Sequence, residues 1–258
     1  MKKKSLAALV ISSMVLISTL VGCGSSSDST KTASKKYIIA TDATYAPFEF
    51  KSGSNYTGID IDILNAISKK ENFKYELKPM NFEGIIPALQ ANQIDGSISG
   101  MSITDERKKS LDFSDPYYDS GLAIVVKSNS TIKGLADIKG KTASLKKGTA
   151  GATFAEGNKD KYNLNLKYFD DTPTMFQAVL NGNADIAFED YPVISYEIAV
   201  NPNSGLKIAG KKVTTSPYGF AVNKGKNAEL LKMFNDGLKK IKADGEYDKI
   251  INKYIKSK

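Results

Sequence analysis

From residue 37 onward, short apolar runs alternate with segments whose apolar residues recur at helical spacing. Residues 37–40 read as a strand, and Ile59, Ile63 and Ile67 recur every four residues, as on one face of a helix. Further strand-like runs lie at 75–77, 94–99, 122–126 and 142–145, and helical spacing returns at 85–89, 230–241 and 247–254. This alternation predicts an α/β fold with mainly parallel sheets.

The residue types exclude several kinds of site. The 258 residues include no histidine and one cysteine, so a histidine-based triad, a histidine metal cluster, an intrachain disulfide and a cysteine zinc site are all excluded. The formal net charge of +8 comes from scattered lysines without a basic motif, which argues against a nucleic-acid partner. We expect no metal and no cofactor.

The first 36 residues have the pattern of an export segment and a tether. A Met and three lysines precede a mostly apolar run over 6–21, which is short and serine-interrupted for a spanning helix of about 20 apolar residues. The run ends in Leu-Val-Gly and then Cys23, which resembles the lipobox of bacterial lipoproteins. The sequence therefore predicts a signal peptide at 1–22 and a lipid, palmitate among its chains, on Cys23. It also predicts a flexible linker at 23–36 and an extracytoplasmic location on the cell membrane.

Two stretches of the chain resemble each other in sequence. Residues 88–95 and 178–185 each show a helix end, a polar turn and an Asp that opens an apolar strand. The similarity predicts two lobes of similar build, although joints between helix and strand also resemble each other by chance.

Five motifs occur in order along the first part of the folded chain. They are TDATYAPFEF at 41–50, GIDID at 58–62, FEGIIPAL at 82–89, SITDER at 102–107 and DFSDPYY at 112–118. Together they resemble the polar amino-acid-binding proteins of ABC importers, the family 3 solute-binding proteins, and most closely the glutamine-binding proteins.

The resemblance implies a periplasmic-binding-protein-like type II fold, in which two α/β lobes enclose a ligand cleft and a two-strand hinge joins them. The chain would cross between lobes near 117–121 and 214–218. Lobe one is then expected at 37–119 plus 219–258, and lobe two at 120–218. Hinge residues absorb the closing motion. We expect a monomer that docks on a membrane permease.

A free amino acid needs a cation for its carboxylate and an anion for its ammonium group. Arg107, the only arginine in the chain, is the natural carboxylate clamp because a guanidinium binds both oxygens. By family analogy, Ser102 and Thr149 also serve the carboxylate. The analogy assigns the ammonium group to Asp190 and Gly100, and we also count Ser99 among the ligand-binding residues.

The ligand's side chain would lie between two aromatic residues, Tyr45 and Phe82, which match sandwiching positions of the family. Asp42 and Lys146 then face its tip, where an amide satisfies one acceptor and one donor, so glutamine is favoured. Glu189 departs from the pattern, because the glutamine binders carry a histidine there. An extra carboxylate tilts the pocket toward arginine or lysine, whereas Lys146 opposes a cationic ligand.

Three functions follow from this interpretation. The first is the extracellular receptor of an ABC importer for a polar amino acid, glutamine favoured. The second is a receptor for a basic amino acid. The third is a dehydratase-type enzyme on the same scaffold, for which the adjacent carboxyl groups of Glu189 and Asp190 leave room. We expect a binding protein and not an enzyme.

Overall fold

Two five-stranded sheets, each flanked by helices, form the two lobes of the molecule. The structure is a computed structural model and describes residues 35–255. The predicted signal peptide, Cys23 and the linker up to residue 34 lie outside the described residues. Within 35–255, no helix combines the length and the apolar character that crossing a membrane requires.

The strands and helices alternate over most of the chain, as the sequence pattern predicts. The strands are β1 (Lys36–Thr41), β2 (Thr44–Tyr45), β3 (Glu49–Ser52), β4 (Asn55–Thr57), β5 (Lys74–Pro79), β6 (Gly96–Ser97), β7 (Leu111–Phe113), β8 (Leu122–Lys127), β9 (Thr142–Lys146), β10 (Asn165–Phe169), β11 (Ile186–Asp190), β12 (Leu206–Ala209) and β13 (Ala221–Asn223). The helices are α1 (Ile59–Lys70), α2 (Phe82–Gln90), α3 (Asp105–Lys108), α4 (Ala150–Gly157), α5 (Lys159–Tyr162), α6 (Thr172–Leu180), α7 (Tyr191–Val200), α8 (Ala228–Ala243) and α9 (Glu246–Tyr254).

Both main sheets are mixed, because one strand in each runs against the other four, so the expectation of mainly parallel sheets holds for four strands of five. Lobe one has the strand order β5-β1-β6-β13-β7, with β1 parallel to β5 and β6 and with β13 antiparallel to β6 and β7. Lobe two has the order β10-β9-β11-β8-β12, with β9 parallel to β10 and β11 and with β8 antiparallel to β11 and β12. The antiparallel strands β8 and β13 come soon after the predicted crossings, so the chain enters them from the cleft edge.

A third, small sheet consists of β2, β3 and β4 in antiparallel order. Its strands are two to four residues long and mostly polar, which is why the apolar alternation did not indicate them. The predicted strand at 94–99 is also shorter in the structure, because only Gly96 and Ser97 join the ladder. The residues after β6 turn toward the cleft.

Each lobe packs its own apolar core. In lobe one, the face of α8 that carries Leu230, Phe234 and Leu238 is buried together with Phe220 and Ile39. In lobe two, successive residues of β8 belong to separate clusters on the two faces of the sheet, as the alternation of side chains along a strand requires. The sheets are therefore covered on both faces, which fixes the strand ends that form the cleft.

The similarity between residues 88–95 and 178–185 corresponds to one structural joint that occurs in both lobes. Asp95, before β6, accepts a hydrogen bond from the Ile38 N–H (2.9 Å) and donates its own N–H to the Ile38 carbonyl (2.8 Å). Asp185, before β11, does the same with Thr142, at 2.8 and 2.9 Å. In each lobe one aspartate thus fastens the beginning of a neighbouring parallel strand.

Candidate functional site

The candidate site lies where the carboxyl ends of the parallel strands of the two lobes meet. Asp42 follows β1, Lys146 ends β9 and Asp190 ends β11. Ligands of α/β sheets bind at this edge, because the loops there leave a crevice. The Lys146 ammonium group of lobe two forms an ion pair with the Asp42 carboxylate of lobe one, and both side chains are buried.

Side chains of both lobes line the cleft. The lining residues are Tyr45, Phe82, Gly100, Ser102, Arg107, Leu122, Lys146, Thr149, Ala150, Gly151, Phe188, Glu189 and Asp190. Of the predicted ligand-binding residues, Asp42 and Ser99 lie behind this lining and the others are part of it. The free volume at the centre is about 10 Å³, which is room for one water molecule, so the lobes are closed on each other.

Arg107 is held in the cleft by backbone carbonyl groups from both lobes. Its Nη1 donates to the Ser102 carbonyl (2.8 Å) and its Nη2 to the Gly148 carbonyl of lobe two (3.0 Å). The guanidinium carbon lies 5.4 Å from the centroid of the Phe82 ring. Burial lowers the pKa of Arg107, yet a guanidinium stays charged in proteins. Two of its five N–H groups are engaged, so donors remain for a carboxylate.

The beginning of α4 faces Arg107 from lobe two. Thr149 caps the helix, because its hydroxyl oxygen accepts from the Ala152 N–H (3.2 Å). Gly151 brings the helix against β11, since a Cβ at this position would lie 2.6 Å from the Phe188 carbonyl oxygen. A helix N-terminus presents free N–H groups and favours an anion. A carboxylate between Arg107 and α4 would be bound from both sides.

Asp190 is the acceptor of two tyrosine hydroxyl groups. Its Oδ2 accepts from the Tyr45 hydroxyl at 2.6 Å and from the Tyr218 hydroxyl at 2.5 Å. Burial raises the pKa of Asp190, and the two hydroxyl groups, Arg107 and Lys146 act in the opposite direction. Tyr218 was not predicted from the sequence. The available signal was its position as an aromatic residue in the predicted crossing at 214–218.

Glu189 is buried beside Asp190. Its Oε1 accepts from the Asp190 N–H (2.7 Å) and lies 3.1 Å from the Tyr45 hydroxyl, whose single hydrogen it shares with Asp190, and its Oε2 accepts from the Thr172 hydroxyl (3.1 Å). Burial raises the pKa of Glu189 to about 7, and the Asp190 charge adds to this shift while Lys146 counteracts it. A buried carboxyl group of this kind gains from a nearby cation.

The two aromatic side chains predicted to flank a ligand both contact Lys146. Its ammonium nitrogen lies 4.7 Å from the centroid of the Tyr45 ring and 5.8 Å from that of Phe82. These distances suit cation–π attraction. The aromatic walls of the cleft therefore accommodate a positive charge as well as an apolar stem.

A layer of polar groups supports the cleft from within lobe one. The Gly100 N–H donates to Asp60 Oδ2 (2.7 Å), and the Ser99 hydroxyl donates to Glu49 (2.8 Å) and accepts from the Asp42 N–H (2.9 Å). Gly100 has a φ of +48°, and a Cβ there would lie 2.6 Å from the Tyr45 ring. Ser99 thus contacts Asp42 and Glu49 behind the lining. Within residues 35–255, no cluster of Asp, Glu and Cys side chains is arranged to hold a metal ion.

Known proteins share this architecture and this chain pattern. The family model of the bacterial extracellular solute-binding proteins, family 3, matches residues 37–257. A probable histidine-binding protein of Neisseria gonorrhoeae is 34% identical over 257 residues, which cover 98% of this chain and 96% of that protein. The arginine-binding extracellular protein ArtP of Bacillus subtilis (strain 168) is 33% identical over 237 residues, or 92% of each chain.

An ancestral arginine-binding protein has been solved with two ligands. Its structure bound to arginine has a TM-score of 0.80 and 44% identity, and covers 85% of this chain and 98% of that one. Its structure bound to glutamine has a TM-score of 0.79 and 43% identity, and covers 86% and 98%. The chain belongs to the bacterial extracellular solute-binding proteins of family 3. Its fold is of the periplasmic-binding-protein-like type II.

Proposed function

We propose that the chain is the substrate-binding component of an ABC importer and binds a free L-amino acid in the cleft between its two lobes. The observation that carries this proposal is that Arg107 and Asp190 line one buried space. Arg107 and the beginning of α4 bind the carboxylate, and Asp190 with the Gly100 backbone binds the ammonium group. Because the two lobes supply different parts of this set, bound ligand favours the closed state.

The charges of the cleft favour a cationic side chain, with arginine as the first candidate. The charges of Arg107 and Asp190 are balanced by the carboxylate and ammonium groups of the ligand. The charge of Lys146 is balanced by Asp42. Glu189 is then the remaining acidic group of the lining, and its neighbours Tyr45 and Thr172 are neutral hydroxyl groups. A guanidinium or ammonium group would supply the missing positive charge. Relatives named as histidine- and arginine-binding proteins support this assignment.

Glutamine is the second candidate. Asp42 accepts and Lys146 donates, which suits the two ends of a carboxamide. The ancestral arginine-binding protein has been solved with glutamine as well as with arginine, so related clefts hold both ligands. Partial protonation of Glu189 near pH 7 would lower the cost of a neutral ligand beside it.

A thermal-shift screen against the twenty common amino acids, followed by calorimetry with L-arginine and L-glutamine, tests the proposal. Ligand well above its Kd stabilises the folded protein by a few kcal/mol, roughly RT ln([L]/Kd). We expect the largest shift for L-arginine and a smaller one for L-glutamine. A screen in which no amino acid raises Tm would overturn the proposal. Recovery of chemically unchanged ligand separates the binding protein from the dehydratase-type enzyme.

We also propose an extracytoplasmic location for the protein and a movement of its two lobes. The protein is placed outside the cytoplasm, held on the cell membrane by a lipid on Cys23, and docks as a monomer on a permease. The lobes would meet at the predicted crossings, with lobe one at 37–119 plus 219–258 and lobe two at 120–218. Replacement of Cys23 by Ala should move the protein from the membrane fraction to the soluble fraction. Retention in the membrane fraction would contradict the anchor.

A further inference from the structure

Tyr218 lies in the segment that returns from lobe two to lobe one, and its backbone is tied to lobe one. It forms isolated bridges with Ser102 and Tyr118, and its N–H donates to the Tyr118 carbonyl (2.8 Å). The Tyr117 N–H donates to the Tyr218 carbonyl at 3.0 Å. Since Ser102 also accepts from Arg107, the Tyr218 backbone belongs to the wall that holds the carboxylate clamp.

The Tyr218 ring is fixed by packing. Its side chain has no solvent exposure, Phe48 meets it edge-on at a centroid distance of 5.0 Å, and Tyr118 stacks on it at 6.1 Å. A ring held on two sides has little freedom at χ1 and χ2. The position of its hydroxyl group is therefore set by the core of lobe one.

That hydroxyl group reaches the ammonium-binding residue of the other lobe. It donates to Oδ2 of Asp190 at 2.5 Å, and the Tyr45 hydroxyl donates to the same oxygen at 2.6 Å. The two hydroxyl oxygens are 3.4 Å apart. Because both bonds go to Oδ2, the carboxylate is turned so that Oδ1 is left for a donor from a ligand.

The surroundings of Asp190 make this donor pair important. Burial raises the pKa of Asp190, and the Tyr218 hydroxyl is the first of the groups that counteract burial, followed by Tyr45, Arg107 and Lys146. Glu189 is the other acid beside it. A hydroxyl group that bonds to the ionised carboxylate favours the form that binds an ammonium group.

We infer that Tyr218 is a positioning residue for recognition of the ligand's ammonium group, acting through Asp190. Its hydroxyl orients the Asp190 carboxylate when the lobes close, so the hinge side of lobe one takes part in reading the α-amino end of the ligand. This inference rests on the proposed function, because it assumes a free amino acid in the cleft.

Two ligands that differ only at the α-amino group test the inference. Calorimetry would compare L-arginine with 5-guanidinopentanoate, which lacks that group, in the wild type, in Tyr218→Phe and in Tyr118→Phe. Tyr118 is the matched control, because its ring stacks on Tyr218 while the hydroxyl groups that donate to Asp190 are those of Tyr45 and Tyr218. If L-arginine does not bind but L-glutamine does, L-glutamine and 4-carbamoylbutanoate replace the pair.

In Tyr218→Phe, we expect Kd for the amino acid to rise roughly 10-fold or more, the effect of one hydrogen bond to a charged group. Kd for the analogue without the amino group should change less than about twofold, and Tyr118→Phe should leave both ligands as in the wild type. Equal losses on both ligands, or no loss on the amino acid, would overturn the inference. Wild-type protein that binds no amino acid would instead overturn the proposed function.

A combined variant tests whether the Tyr218 hydroxyl group acts through Asp190. If Tyr218 acts through Asp190, then Tyr218→Phe should raise Kd for the amino acid when Asp190 is present. In an Asp190→Asn background, the same change should raise Kd by less than about twofold. Additive losses would show that the hydroxyl group acts elsewhere. Thermal unfolding of each variant without ligand shows whether the fold is kept.

Discussion

Lys146 of lobe two forms a buried ion pair with Asp42 of lobe one, and the two side chains are 2% and 5% exposed. A buried pair recovers its desolvation cost only with further bonds. Asp42 has them, since its Oδ1 accepts from the N–H (3.0 Å) and the hydroxyl group (2.9 Å) of Thr44. The pair therefore joins the lobes and defines the polar end of the cleft.

Replacement of Lys146 by Ala should weaken binding of L-glutamine more than binding of L-arginine. The change removes the donor for a carboxamide and also removes a positive charge that opposes a cationic ligand. We expect Kd for L-glutamine to rise about 10-fold, with a smaller change or a gain for L-arginine, measured by calorimetry. Replacement of the next residue, the partly exposed Lys147, by Ala is the control. The reverse order of losses would argue against Lys146 as the amide donor.

Replacement of Arg107 by Ala should abolish detectable binding of either amino acid. The ligand carboxylate loses its bidentate partner and is left buried, a loss of roughly 100-fold or more in affinity. Arg107→Lys keeps the positive charge without the paired N–H donors, so it should recover only part of the lost affinity. The exposed Lys109→Ala is the surface control. Near-normal calorimetric affinity in Arg107→Ala would contradict the clamp.

Replacement of Glu189 by Gln should shift the preference from L-arginine toward L-glutamine. In the wild type, affinity for L-arginine should rise between pH 6 and 8, because the Glu189 carboxyl, with a pKa of about 7, becomes charged. The variant should lose this rise and about 10-fold in arginine affinity at pH 8. Glu156→Gln, which also removes a carboxylate bonded to a tyrosine, is the control. An unchanged pH profile in Glu189→Gln would exclude the role.

The free energy of unfolding without ligand should fall as the pH rises from about 4 to about 7. Burial raises the pKa of Asp60 to about 6 and that of Glu189 to about 7, so the folded state holds protons that the unfolded state has released. Urea unfolding should show Glu189→Gln with a flatter profile, by on the order of 2 kcal/mol over this range. Asp105→Asn, at a fully exposed site, is the control. Stability that increases with pH in this window would contradict these shifts.

Two glycines of α4 offer a matched pair. Gly151→Ala places a Cβ 2.6 Å from the Phe188 carbonyl oxygen, so the helix must move from β11; we expect a loss of about 1–3 kcal/mol and weaker ligand binding. In Gly157→Ala, the new Cβ has no atom within 4 Å. This change should leave the free energy of unfolding as it is or raise it by up to about 1 kcal/mol. Urea unfolding and calorimetry measure both. Equal effects of the two substitutions would show that the contact with β11 is unimportant.

The sequence predicts the fold class and most of the lining of the cleft, because both depend on local pattern and on motifs. The apolar face of α8 and the strand β8 appear where their spacing indicates. The sheet β2-β3-β4 could not be predicted, since its polar strands are defined by hydrogen bonds to each other. The one reversed strand of each main sheet, β8 or β13, was not predicted, because periodicity carries no information on how the chain re-enters a sheet. Tyr218 was missed because packing between distant segments brings its hydroxyl group to Asp190.

The joint made by Asp95 in one lobe and Asp185 in the other has a mechanical consequence. Each aspartate secures a strand within its own half, by a side-chain and a backbone bond at the end of the sheet remote from the cleft. Neither fastening depends on the opposite half. If the two halves part to release a ligand, as the proposed function requires, each half can therefore keep its own strand pairing.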